Sequence, residues 1–305
     1  MPCYNAGPYL REAVDCVLNQ TYPQVELVVV DDGSTDGSRQ VLADYGDQIT
    51  FIEQNNQGPY PARNNGLSRA TGEYVAFLDA DDYWTADCLE KLHAALIRAQ
   101  ADLVYCGWQN VGEHATNSEP YVPPAYEEDD VVVAFLRSCP WPIHAALIRR
   151  TVLDAIDGFS TRRFSSMDYD LWLRIYGHTR NIVRLPEVLA FYRWHGSTQI
   201  SATKWKQVLD AVQVRRDFVA KFGGLTAHIP AQRLRDLVEG QLLKEAYRAY
   251  WKRDLANARP LFRHALRRGA WQVKDLKYIL PALLSAPLFA RLVAQADKAA
   301  GEQGA

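Results

Sequence analysis

Val25-Glu26-Leu27-Val28-Val29-Val30-Asp31-Asp32-Gly33-Ser34-Thr35-Asp36 decides how the rest of the chain is read. Its first half is a short, nearly continuous β-branched run, the pattern of a strand buried on both faces of a parallel sheet. The run stops in two carboxylates, and open α/β sheets bind their ligands at the carboxyl ends of their strands. Upstream, Leu10, Val14, Val17 and Leu18 recur at helical spacing, with Asn5 as the expected cap. Downstream, Ser34, Thr35 and Asp36 offer caps for a helix through Val41 and Leu42. The unit then repeats. Residues 49–52 read as a strand and 61–70 as a helix closed by Gly72. Residues 74–78 read as a strand, 85–99 as a helix capped by Thr85, and 103–106 as a further strand. Strands alternating with helices across short connections predict an α/β fold with a doubly wound sheet.

Residues 113–130, rich in Glu, Asp and Pro, predict an exposed loop over that sheet, and 131–200 return to mixed α/β. From about 204 the pattern is helical only, which places a boundary near Thr203 and predicts an α/β domain over 1–203 and a helical region over 204–305. With 48% hydrophobic and 23% charged residues the chain is not disordered. A formal net charge of -2 argues against nucleic acid as the main partner. Cys3, Cys16, Cys88, Cys106 and Cys139 form no C-x-x-C pair, so neither a disulfide framework nor a zinc site is expected, in keeping with a reducing cytoplasm. Met1-Pro2-Cys3 does not open a signal peptide. The apolar stretch 278–293 carries Pro281, Pro287 and Arg291 and falls short of the about 20 apolar residues that span a bilayer. The expected location is the cytoplasm, soluble or peripheral at the inner face of the membrane.

Two acidic clusters fall at strand ends: Asp31 and Asp32, then Asp79, Asp81 and Asp82. Crowded like charges need a cation or a donor-rich ligand, and Mg²⁺ or Mn²⁺ is held by one or two carboxylates plus phosphate oxygens. Helix capping accounts well for Ser34 and Asp36. It accounts poorly for Asp79 and Asp81, because Thr85 stands as a cap and Asp87 supplies first-turn charge. In the helix expected over 166–176, Asp168, Leu171, Trp172 and Ile175 share the inward stripe, whereas Asp170 lies four residues before Arg174, where a surface ion pair suffices. On spacing alone Asp168 is also a carboxylate that stabilises the helix dipole.

Pro2-Cys-Tyr-Asn, Asp31-Asp-Gly-Ser-Thr-Asp, Ala62-Arg-Asn-Asn-Gly and Phe77-Leu-Asp-Ala-Asp-Asp, followed by Asp168-Tyr-Asp-Leu-Trp-Leu-Arg and Tyr192-Arg-Trp-His, closely resemble the family 2 glycosyltransferases. The resemblance covers about two-thirds of the chain. It implies a Rossmann-like, doubly wound mixed sheet (the nucleotide-diphospho-sugar transferase, or type A, fold) with a C-terminal helical appendage. It implies inverting transfer of a sugar from a nucleotide-diphosphate donor to a saccharide or lipid-linked acceptor, in cell-surface polysaccharide or glycolipid synthesis. Pro2, Tyr4 and Asp31 or Asp32 would hold the base, and Arg63 would help fix it. Asp79 would contact the ribose, and Asp81 would bind the Mn²⁺ or Mg²⁺ that bridges the diphosphate. Asp168 would be the general base, and His195 would approach the diphosphate and its metal. Met167 stands where the family commonly has Glu, which removes a second carboxylate beside Asp168. His144 is left unassigned.

A nucleotidyltransferase would also need a metal and a nucleotide site, but its usual Gly-rich phosphate loop near the first strand is missing. A non-catalytic nucleotide-sugar-binding scaffold is disfavoured by Asp79, Asp81 and Asp168 together. The family carries a buried apolar strand immediately before its Pro-x-Tyr-Asn motif, whereas only Met1 precedes it here, so the natural protein is expected to start upstream. Downstream, 243–275 has the spacing of one helical hairpin, too little for a solenoid of at least about three repeats. Between 241 and 291 eleven basic residues face three acidic ones, a net +8. Beside the interrupted apolar stretch this charge predicts a surface for anionic lipid.

Overall fold

Pro2–Cys3 (β1) lead into helix Leu10–Leu18 (α1), strand Val28–Asp31 (β2) and helix Ser38–Ala43 (α2). Strand Thr50–Glu53 (β3) and helix Pro59–Arg69 (α3) complete the first half. The computed structural model describes residues 1–115, 117–162, 165–195 and 204–302. The three strands are parallel in the order β1-β2-β3, with Pro2 opposite Val30 and Val28 opposite Thr50. All four residues of β2 are buried, as a β-branched run covered on both faces requires. Helix α3 lies directly on this strand because Gly66 has no side chain: a Cβ there would meet Val30 Cγ2 at 3.3 Å.

The second half adds Tyr74–Ala76 (β4), Tyr83–Trp84 (β5), Cys88–Arg98 (α4), Leu103–Val111 (β6), Val131–Arg137 (α5) and Ala146–Arg149 (β7). Arg150–Ala155 (α6), Met167–His178 (α7) and Ile182–Arg193 (β8) follow. Its five strands run β4-β7-β6-β8-β5, with β7 antiparallel to both neighbours and β8 parallel to β6. The expected mixed α/β fold is present, and β7 and β5 are its antiparallel members. The 113–130 segment is pinned to the sheet, since Trp108 and Tyr121 exchange backbone hydrogen bonds of 2.9 Å.

Three local expectations are corrected. Asn5 does not cap α1; its backbone is left-handed at φ 49°, and its Oδ1 accepts from Thr35 N at 2.7 Å, tying the two motif loops together. Thr85 does not cap α4, because Asp87 takes that position and Thr85 Oγ1 donates to the Asp87 carboxylate instead. Gly72 takes no part in ending α3, whose cap Ala70 is already extended.

The chain divides into two compact units, Met1–Gln199 and Ile200–Ala305. The second comprises Lys204–Lys221 (α8), Gly223–Thr226 (α9), Ala231–Trp251 (α10), Leu255–Arg267 (α11), Leu276–Ala282 (α12) and Ala286–Glu302 (α13). Leu242, Ala246, Ala258, Phe262 and Ala265 are fully buried in its core with Ile279 and Phe289. Among the described residues no helix is long and apolar enough to cross a membrane.

Candidate active site

The carboxyl end of β2 is already rich in internal bonds. Asp31 is buried, accepts Arg39 Nε at 2.7 Å and receives the Ser34 amide. Asp32 is also buried and accepts Gln54 Nε2, Gln57 N and Gly58 N at 2.7–2.8 Å. Three donors on one carboxylate fix the turn that starts α3, so Asp32 sets where that helix presents Arg63. Pro2 is buried in β1, whereas the Tyr4 ring is 54% exposed and open to a planar ligand.

Beyond β4, Phe77 and Leu78 are buried and the chain turns through Asp79, Ala80, Asp81 and Asp82. Asp79 forms an ion pair with the Arg63 guanidinium, which is buried and lies 5.4–5.5 Å from the ring centroids of Tyr60 and Phe159. Asp81 Oδ2 is 2.7 Å from His195 Nε2, and that imidazole stacks on Tyr9 at 5.1 Å. His195 reaches Asp81 because the end of β8 is tied to this turn. Arg193 N donates to Asp82 at 2.8 Å, and Arg193 Nε donates to the Asp81 carbonyl at 2.9 Å. Strand β5, directly after the turn, pairs Tyr83 with Phe191.

This turn holds more negative charge than its surroundings compensate. Burial raises the Asp81 pKa, the neighbouring Asp79 raises it further, and the His195 bond offsets only part of this. Asp82 is buried and its pKa is raised well above the usual range, first by burial and then by Asp81 and Asp79. Beneath it His144 Nδ1 lies 3.3 Å from Asp82 Oδ2, and burial pushes that histidine down to about 4. Asp82 and His144 therefore meet as a buried pair in which both charged forms are disfavoured. Nothing local in the sequence marks His144, which is remote in the chain, whereas Arg193 lies within the Tyr192-Arg-Trp-His motif but carried no assigned role.

Asp168 is the second residue of α7, preceded by a left-handed Ser166 (φ 59°, ψ 26°), a conformation that costs a non-glycine residue about 1–3 kcal/mol. Its carboxylate is half-buried and accepts the Tyr169 amide at 2.8 Å. Burial raises its pKa while the Arg63 charge opposes the rise. Arg63, Asp79, Tyr60 and Asp168 thus act on one another electrostatically. Among the described residues no three side chains of metal-ligand type converge, while Asp81 and His195 stand as a carboxylate–imidazole pair.

Asp170 corrects the sequence reading. The spacing to Arg174 does make an ion pair, at 2.6 Å, but it is buried, with side chains 4% and 14% exposed. Arg174 also donates to the carbonyls of Ile156 and Gly158, both at 2.7 Å, so this turn covers the face that periodicity assigned to solvent. Asn64, next to Arg63 on α3, clasps the same turn: its amide donates to Phe159 O and accepts Phe159 N, both at 2.8 Å. Gly158 (φ +58°) admits the clasp, since a Cβ there would meet Asn64 Oδ1 at 2.7 Å. Asp170→Asn is therefore expected to lower stability by about 3 kcal/mol, the low end for breaking a buried pair, and to lower the melting temperature in thermal denaturation.

Carboxylates thus stand at or beyond the ends of β2 and β4, a buried arginine pairs with one of them, and a further carboxylate opens α7. Residues 1–169 match glycosyl transferase family 2, and the chain belongs to that family. It is 32% identical over 212 residues to TuaG of Bacillus subtilis, a protein named for teichuronic acid biosynthesis, covering 67% of this chain and 81% of TuaG. It is 28% identical over 222 residues to the UDP-Glc:alpha-D-GlcNAc-diphosphoundecaprenol beta-1,3-glucosyltransferase WfgD of Escherichia coli, covering 72% and 85%. Its fold is similar to that of the mannosyltransferase PcManGT of Pyrobaculum calidifontis, solved with GDP-Man and Mn²⁺, at a TM-score of 0.59 and 22% identity over 97% of this chain and 84% of the other.

Proposed function

We propose that this glycosyltransferase moves a sugar, with inversion, from a nucleoside-diphosphate donor to a hydroxyl of a saccharide or lipid-linked acceptor in cell-surface polysaccharide or glycolipid assembly. The observation that carries the reading is the turn 79–82, where Asp81 meets His195 beside the Asp79–Arg63 pair. The residues fit a divalent cation: an oxygen and an imidazole nitrogen stand together at a point of excess negative charge. Asp81 and His195 would hold Mn²⁺ or Mg²⁺, phosphate oxygens and water completing its ligands, and the ion would neutralise the charge developing on the departing nucleoside diphosphate.

The remaining roles belong to the chain. Tyr4 offers a ring for the base, with Asp31 and Asp32 shaping the loops around it. Asp79 accepts a ribose hydroxyl while Arg63 holds it in place. Asp168 takes the proton of the acceptor hydroxyl as its oxygen bonds to the anomeric carbon and the bond to the diphosphate oxygen breaks. Attack from the face opposite the leaving group inverts the anomeric centre. The names of WfgD and TuaG support a cell-surface product, and PcManGT supports a nucleotide-sugar donor with Mn²⁺.

A thermal-shift panel of nucleotide sugars with and without Mn²⁺ tests this reading. The cognate donor at about 100 times its Kd is expected to add about 2.7 kcal/mol, and only with the metal present. No shift from any UDP- or GDP-sugar would overturn the donor assignment, and an undiminished shift in EDTA would overturn the cation.

A further inference from the structure

The helical unit keeps an apolar surface that its own core does not use. On one side of α12 and α13, Ile279, Ala282, Phe289 and Val293 are buried. Beside them Leu280 of α12, Leu283 and Leu284 of the connection, and Leu288 and Leu292 of α13 stand 41–54% exposed, a ridge of leucines along this stretch. A cluster of large apolar side chains left exposed outside the core marks an interaction surface.

Positive charge flanks the ridge. Arg259 donates through Nε and a terminal nitrogen to the Leu284 carbonyl at 2.8 and 2.6 Å, which seats its guanidinium at the break between the two helices. Arg263 reaches the Leu283 carbonyl at 3.4 Å. Lys277 stands three residues before Leu280, and Arg291 three residues after Leu288. The three acidic residues of 241–291 are engaged elsewhere. Asp275 is buried against the Tyr247 hydroxyl at 2.6 Å, Asp254 caps α11, and Glu245 pairs with Arg248 at 3.0 Å. A second copy of the chain would bring this charge against itself, whereas an anionic bilayer offers acyl chains for the leucines and phosphates for the cations.

We propose that this leucine ridge docks the helical unit on an anionic membrane, with the five leucines entering the headgroup–acyl boundary and Arg259, Arg263, Lys277 and Arg291 at headgroup level. The proposal is independent of the donor chemistry. Co-sedimentation of the full chain with phosphatidylcholine vesicles, with and without phosphatidylglycerol, tests it across a salt series. The unaltered protein is expected to pellet with anionic vesicles, to stay in solution with neutral ones and to be released by salt. Leu284→Glu/Leu288→Glu is expected to weaken anionic binding by about tenfold or more while circular dichroism stays unchanged, since both side chains are exposed. No binding by the unaltered protein, equal binding to both vesicle types, or undiminished binding by the double variant would overturn the proposal. So would a dimer that the double variant dissolves, seen without vesicle binding; the ridge would then be a self-association surface.

Discussion

Asp168→Asn is expected to lower kcat by at least about 100-fold, the usual scale for a general base, with donor affinity little changed. The amide cannot accept the acceptor proton, but it keeps the size of the carboxylate and can still accept the Tyr169 amide, so this contact in the first turn of α7 persists. Steady-state kinetics with a fixed donor separates the two quantities; a loss under tenfold would make Asp168 a helix-end carboxylate and put the base elsewhere. The pH profile gives a second readout. Burial disfavours the charged form of Asp168 and raises its pKa, so activity is expected to fall with falling pH earlier than an ordinary carboxylate would dictate. Removing the opposing charge with Arg63→Gln should move that acid limb to still higher pH.

Asp81→Asn is expected to abolish the cation-dependent part of donor binding while the fold survives. Calorimetric titration with a nucleoside diphosphate, with and without Mn²⁺, reads this directly; each tenfold loss of affinity corresponds to about 1.4 kcal/mol. Burial raises the proton affinity of Asp81 and Asp82, and the neighbouring Asp79 raises it further, so neutralising one member relieves crowding. The melting temperature should hold or rise slightly, which distinguishes a lost ligand from a lost fold. Unchanged affinity in the variant would remove Asp81 from the metal site.

The alternation of strand and helix was legible because β2 and the first half of β6 carry buried, nearly continuous apolar runs, and burial on two faces demands such runs. The motifs also singled out Asp79, Asp81, Asp168 and His195, the residues to which the proposed chemistry is assigned. What stayed hidden was tertiary. Periodicity gave Asp170 and Arg174 a shared face but could not see the 156–159 turn that covers it. Asn5 had the composition of a cap and became a cross-link between loops, a choice settled by a partner 30 residues away. His144 meets Asp82 only once β7 and the 79–82 turn have folded, and nothing local distinguishes it from any other buried histidine.

The Asn64 clasp makes the 156–159 turn a bracket between two working parts. Arg63, proposed to act on the donor, is one residue from one arm of it; Asp168, the proposed base, shares a helix with the Arg174 that grips the other. Under the proposed mechanism, the gap between the sugar's leaving bond and the incoming hydroxyl would be set by main-chain atoms of a short turn rather than by the substrates. Changes in the pockets can alter which sugar or acceptor is admitted while the working distance stays constant. Such a jig suits a framework whose cargo varies and whose single bond exchange does not.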